Sequence, residues 1–78
     1  MNKKRTLYHF GAIFGLVGED AAEVQEHPES PLYKRAERHA KRLRGDWRKV
    51  IEGELTLGQK HALRFGKAQG LKARREMA

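Results

Sequence analysis

The sequence predicts a mainly α, small single domain of about three helices arranged around an amphipathic central helix at residues 31–52. Two observations carry that fold class. Apolar residues recur at helical spacing through the middle of the chain, and residues suited to starting helices stand just ahead of two such runs.

The central run takes in Leu32, Ala36, Ala40, Leu43, Trp47 and Val50/Ile51, which return every three or four residues and line one side of a helix. Lys34, Arg35, Arg38, Lys41, Arg42, Arg48 and Lys49 fall on the opposite side. Ser30 suits the N-cap, where its hydroxyl accepts from a free backbone N–H. Pro31 suits the first helical position, where its missing donor costs nothing. Gly53 is the natural stop. Gly45-Asp46 is the weak point, where the helix kinks or restarts with Asp46 as a cap. The apolar rhythm runs through it, which favours a continuous helix.

Ahead of this helix, residues 1–5 form a basic arm expected to be disordered. Leu7 to Val17 is an apolar segment expected as a helix, with a short β-hairpin as the alternative. Leu7, Phe10, Phe14 and Val17 keep helical spacing, whereas Gly11 and Gly15 weaken either assignment. Their spacing also permits close helix contact of the GxxxG kind. Glu19 to Ser30 holds five of the ten acids, uninterrupted by lysine or arginine. It is expected to fold back and partly neutralise the basic helix, the alternative being an acidic docking surface.

After Gly53, Thr56-Leu-Gly-Gln59 fits a capping box, two reciprocal bonds at a helix start. The helix it opens should run from Leu57 to about Gln69, weakened by Gly66 and Gly70. Residues 72–78 lack apolar periodicity and are expected to form a flexible basic tail. Trp47, Leu43, Phe10, Phe14 and Phe65 are the expected core.

A chain of 78 residues buries only about 60% of its unfolded surface, so stability should be marginal. With no cysteine, neither a disulfide nor a thiolate metal site is open to it. The longest charge-free run, Thr6 to Gly18, follows Lys3, Lys4 and Arg5 in the manner of a secretory signal. It is short of the roughly 20 residues a membrane span needs, and no small-x-small cleavage site follows it. It reads as core, and the protein as cytoplasmic without a membrane partner. His9, His27, His39 and His61 make no metal-ligand pattern, Ser30 reads as a cap, and the glycines form no phosphate loop. No catalytic residue, cofactor, metal or small-molecule substrate is expected.

The net charge of +7, from 17 Lys+Arg against 10 Asp+Glu, points toward a polyanionic partner. Lys34 to Arg44, KRAERHAKRLR, holds six Lys/Arg in eleven residues and resembles the arginine-rich helices that sit in RNA grooves. Arginine supplies a planar fork that matches phosphate, and lysine a point charge. The expected binding residues are Lys34, Arg35, Arg38, Lys41, Arg42, Arg48 and Lys49, with Lys60, Arg64 and Lys67 extending the patch. Ala62, Phe65 and Gly66 also keep the spacing of a helix-turn-helix. The match then fails, because the recognition helix would be Lys67 to Met77, which contains Gly70 and has Leu71 as its one anchor. The function expected is a small basic regulator of a nucleic-acid process, foremost transcription, binding nucleic acid through a basic helix face. The alternative is a protein–protein regulator that docks on a larger machine such as RNA polymerase.

Overall fold

A computed structural model describes residues 2–18, 30–43 and 45–77. These form four helices: α1 (Lys3–Val17), α2 (Pro31–Ala40), α3 (Trp47–Val50) and α4 (Leu57–Met77). The mainly helical class is as the sequence predicts, and Leu7 to Val17 is helix rather than hairpin. The acidic segment's expected fold-back onto the basic helix lies outside the described residues.

The caps form as read from the sequence. The Ser30 hydroxyl accepts from the Tyr33 N–H at 3.1 Å. At Thr56 the box is reciprocal: the Thr56 N–H donates to Gln59 Oε1 at 2.9 Å, and the Gln59 N–H donates to Thr56 Oγ1 at 3.2 Å. A further cap opens α1, where Asn2 Oδ1 accepts from the N–H groups of Lys4 and Arg5 at 2.9 and 3.3 Å. That cap draws Lys3, Lys4 and Arg5 into the helix, so much of the expected basic arm is its first turn.

The organising element is α1, not the central run. Thr6, Leu7, Gly11, Ala12, Gly15 and Leu16 are all buried. Thr6 satisfies its hydroxyl by donating to the Asn2 carbonyl at 2.9 Å. α4 lies along one side of α1 in the same direction: Gly58 faces Lys4, Gly66 faces Tyr8, and Gly70 faces Ala12 and Gly15. α2 lies on another side and runs the opposite way. Its end meets the middle of α1 through His39 and His9, and its first half meets the end of α4 through Arg35 and Met77.

Glycines make the α1–α4 contact. A Cβ on Gly11, Gly15, Gly66 or Gly70 would stand closer than 3.0 Å to backbone of the facing helix. On Gly15 the obstructing atoms include the Leu71 nitrogen at 2.9 Å, and on Gly66 they include the Tyr8 carbonyl. Two Gly-x-x-x-Gly pairs, 11/15 and 66/70, thus bring the backbones into direct contact. Each glycine costs about 0.5–1 kcal/mol of helix propensity. Dense packing of main-chain atoms offsets it.

This geometry corrects three expectations. The run 31–52 is not one helix: α2 stops at Ala40 and α3 resumes at Trp47. Gly45 takes φ +58° between them, a left-handed turn that alanine-like residues avoid, and Asp46 stands at the restart without a side-chain cap bond. Gly53 also takes a left-handed φ, +88°, but three residues beyond the end of α3. Second, α4 continues through residues expected to be tail, because α1 supports it past Gly66 and Gly70. The same continuity leaves no turn at Gly66, which lies mid-helix against Tyr8. Third, Phe14 and Phe65 are 50% and 58% exposed. The small residues of α1 take the core positions instead, with Leu7 and Leu16 only 2% and 1% exposed. Phe10 and Trp47 do pack together, ring centroids 5.8 Å apart, although neither is fully buried.

Candidate functional site

All ten cations singled out from the sequence are exposed. They do not form one stripe. Lys34, Arg35 and Arg38 ride on α2, and Lys41 and Arg42 follow in the turn that closes it. Arg48 and Lys49 belong to the separate α3, where the Arg48 guanidinium lies over the Trp47 ring at 5.3 Å. Lys60, Arg64 and Lys67 ride on α4, where the Lys67 ammonium sits 4.8 Å from the centre of the Phe14 ring. Because α4 continues to Met77, Arg75 falls in line with Lys60, Arg64 and Lys67 at helical steps, and Lys72 stands on a flank of the same helix. Lys72 and Arg75 lie in the segment expected as a tail and so fall outside the cations singled out from the sequence. Their high intrinsic helix preference, as in Lys72-Ala-Arg-Arg-Glu-Met77, was the available sign.

The seam between α1 and α2 carries an unusual contact. His9 Nδ1 and His39 Nδ1 stand 3.0 Å apart. A hydrogen bond there needs a proton on one Nδ1 and a lone pair on the other, so at least one ring is neutral. Burial lowers the pKa of His9 below the ordinary 6.5, aided by the charges of His39, Arg5 and Arg42. Burial likewise lowers that of His39, aided by Arg35 and Arg42. Arg5, Arg35 and Arg42, from α1, α2 and the turn after α2, therefore converge their fields on one place.

The sign of the pH effect follows. With folded pKa values below 6.5, the unfolded chain binds more protons than the folded one as pH drops through that value. The pair's contribution is complete above 6.5 and is lost progressively below it. The thermal midpoint should fall between about pH 7 and pH 5.5, and a His9→Leu/His39→Leu double variant should flatten that fall. A wild-type profile that is flat across this range would contradict the neutral-pair assignment.

Aromatic rings extend from this seam. Tyr8 makes edge contacts with His9 and His39, centroids 5.2 and 6.2 Å away, and a tilted contact with Phe65 at 5.8 Å. Beside these rings a cleft of about 300 Å³ opens between α2 and the second half of α4. Tyr8 and Leu16 of α1, Arg35 and His39 of α2, and Gln69, Lys72 and Glu76 of α4 line it. Arg35 is held toward α4 by a long contact from its guanidinium to Met77 Sδ, 3.7 Å.

Among the described residues, no three His, Asp or Glu side chains are grouped to hold a metal. Nor is any described helix long and apolar enough to cross a membrane. No family model, curated protein or solved structure matches this chain.

Proposed function

We propose that this protein is a small cytoplasmic regulator of a nucleic-acid process, foremost transcription, that binds nucleic acid through the cationic faces of α2 and α4. The observation that carries the reading is the solvent exposure of all ten candidate cations, eight of them on helices and Lys41 and Arg42 in the turn after α2. Fixed cations favour a polyanion because their mutual repulsion is relieved, and counterions are released, when phosphates approach. α4 carries Glu76 as its one acid against Lys60, Arg64, Lys67, Lys72, Arg74 and Arg75, so that face has little internal compensation.

A second reading has one observation in its favour. Leu57 and Phe65 are 70% and 58% exposed on α4, close in sequence to Lys60 and Arg64. Large exposed apolar side chains on one helix also suit contact with a protein. A regulator docking on a machine such as RNA polymerase would use them without binding nucleic acid. A mobility-shift assay at low salt, with short single-stranded and duplex DNA and RNA, separates the two. The first reading expects a shift that salt weakens. No shift with any of them, together with a partner retained from nuclease-treated lysate, would replace it with the second.

A further inference from the structure

The cleft between α2 and α4 holds features that a general phosphate-binding face does not need. Tyr8 and His39 line it in ring contact with each other, and Phe65, which stands outside the cleft, packs against Tyr8. Phe65 is 58% exposed, with Tyr8 beside it, so much of its ring surface is open to solvent. Its ring also lines a shallow apolar depression that Arg64 borders. Across the cleft stand two cations from different helices, Arg35 and Lys72. Gln69 adds an amide that both donates and accepts.

Open ring surface beside cations is the chemistry of a stacked base with its phosphates neutralised at the flanks. A duplex hides its base faces inside the stack and offers no such surface. An acidic peptide would satisfy the cations but would leave the rings without a planar partner. We infer that the α2–α4 cleft, together with the Phe65 ring adjoining Tyr8 at its border, binds single-stranded nucleic acid, with a base stacked on these rings and its phosphates on Arg35 and Lys72. Gln69 and His39 then face the base edge. The cleft's volume of about 300 Å³ lies at the lower end of the range for small-ligand pockets, room for about one nucleotide. This inference rests on the nucleic-acid reading above and narrows it to a strand type and a place.

The test is fluorescence anisotropy with a labelled single-stranded DNA oligonucleotide, and the same sequence as a duplex, at one salt concentration. The single strand should bind more tightly. Phe65→Leu keeps apolar bulk at an exposed site but removes the ring. It should weaken the single strand between about fivefold and about a hundredfold while leaving duplex binding unchanged. Lys72→Gln, which does not touch the core, should reduce the salt slope for the single strand by about 0.7. Helical circular dichroism of both variants should match the wild type. Equal or tighter duplex binding, with Phe65→Leu without effect, would overturn the cleft site and leave general nucleic-acid binding standing. Displacement of the oligonucleotide by poly-glutamate at equal charge would also overturn it, by showing a cation site indifferent to bases. Absence of binding to either oligonucleotide would overturn both readings.

Discussion

Gly66→Ala should destabilise the protein, even though alanine is the better helix former by about 1 kcal/mol. The new methyl group would overlap the Tyr8 carbonyl oxygen, with the Tyr8 carbonyl carbon and Cα close behind. Backbone cannot step aside as a side chain does, so α1 and α4 must separate. Overpacking of this kind costs typically about 1–3 kcal/mol. In a domain of this size each kcal/mol lowers the melting temperature by about 4–8 °C. Gly58→Ala is the matched control on the same helix. Its methyl would meet only Lys4 Cε and Nζ, both at 3.1 Å, the free end of a long side chain. That variant should gain about 0.5–1 kcal/mol from propensity. Thermal unfolding followed by circular dichroism reads both. A rise in melting temperature for Gly66→Ala would show that α1 and α4 do not cross at these glycines.

The second large effect is on binding. Arg38→Glu/Arg42→Glu should abolish nucleic-acid binding while leaving the helical spectrum intact. Both side chains are exposed, so the exchange disturbs no core contact. Each change removes a cation and adds a repelling charge, on α2 for Arg38 and in the turn after it for Arg42. Arg42 is one of the residues whose field reaches both His9 and His39, so its reversal alters the potential of the whole seam. Arg38→Lys/Arg42→Lys keeps the charge and should retain most of the affinity, with any loss reporting the arginine fork. Unchanged affinity in the Glu pair would remove α2 from the binding face.

What the sequence disclosed is mostly what is decided locally. Ser30 and the Thr56/Gln59 pair close hydrogen bonds within three residues, so their roles follow from residue type and spacing alone. The break at Gly45 is different. The apolar rhythm of 31–52 crosses it without interruption, so periodicity does not register the stop at Ala40 or the restart at Trp47. The core was misread for a related reason. Hydrophobic periodicity gives most weight to large side chains, and so favours the Phe10–Phe14 face of α1. Gly11, Ala12 and Gly15 carry little weight on such a scale, yet they admit the backbone of α4. Gly66 and Gly70 look like helix weaknesses for as long as the facing glycines are out of view. Once all four are paired, the extension of α4 to Met77 and the placement of Lys72 and Arg75 follow.

The candidate site divides along the same line. Its cations are visible one by one in the sequence, because exposure is the default for lysine and arginine. Their division among α2, α3 and α4 depends on the break at Gly45. The cleft was hidden altogether. Tyr8, Arg35, His39 and Lys72 come from three helices separated by up to 64 positions, and no local pattern links them. Phe65 was taken for core because exposed phenylalanine is uncommon. Its exposure is what gives it a role at the surface.

The central claim, that exposed cations on α2 and α4 bind nucleic-acid phosphates, is tested most directly by the salt dependence of oligonucleotide affinity. The logarithm of the binding constant should fall linearly with the logarithm of salt concentration. The slope should be about −0.7 for each phosphate neutralised on a single strand, or about −0.9 on a duplex. A slope corresponding to several phosphates, with binding lost in the Arg38→Glu/Arg42→Glu variant, is the predicted result. Affinity independent of salt, or no binding at low salt to any single strand or duplex, would contradict it.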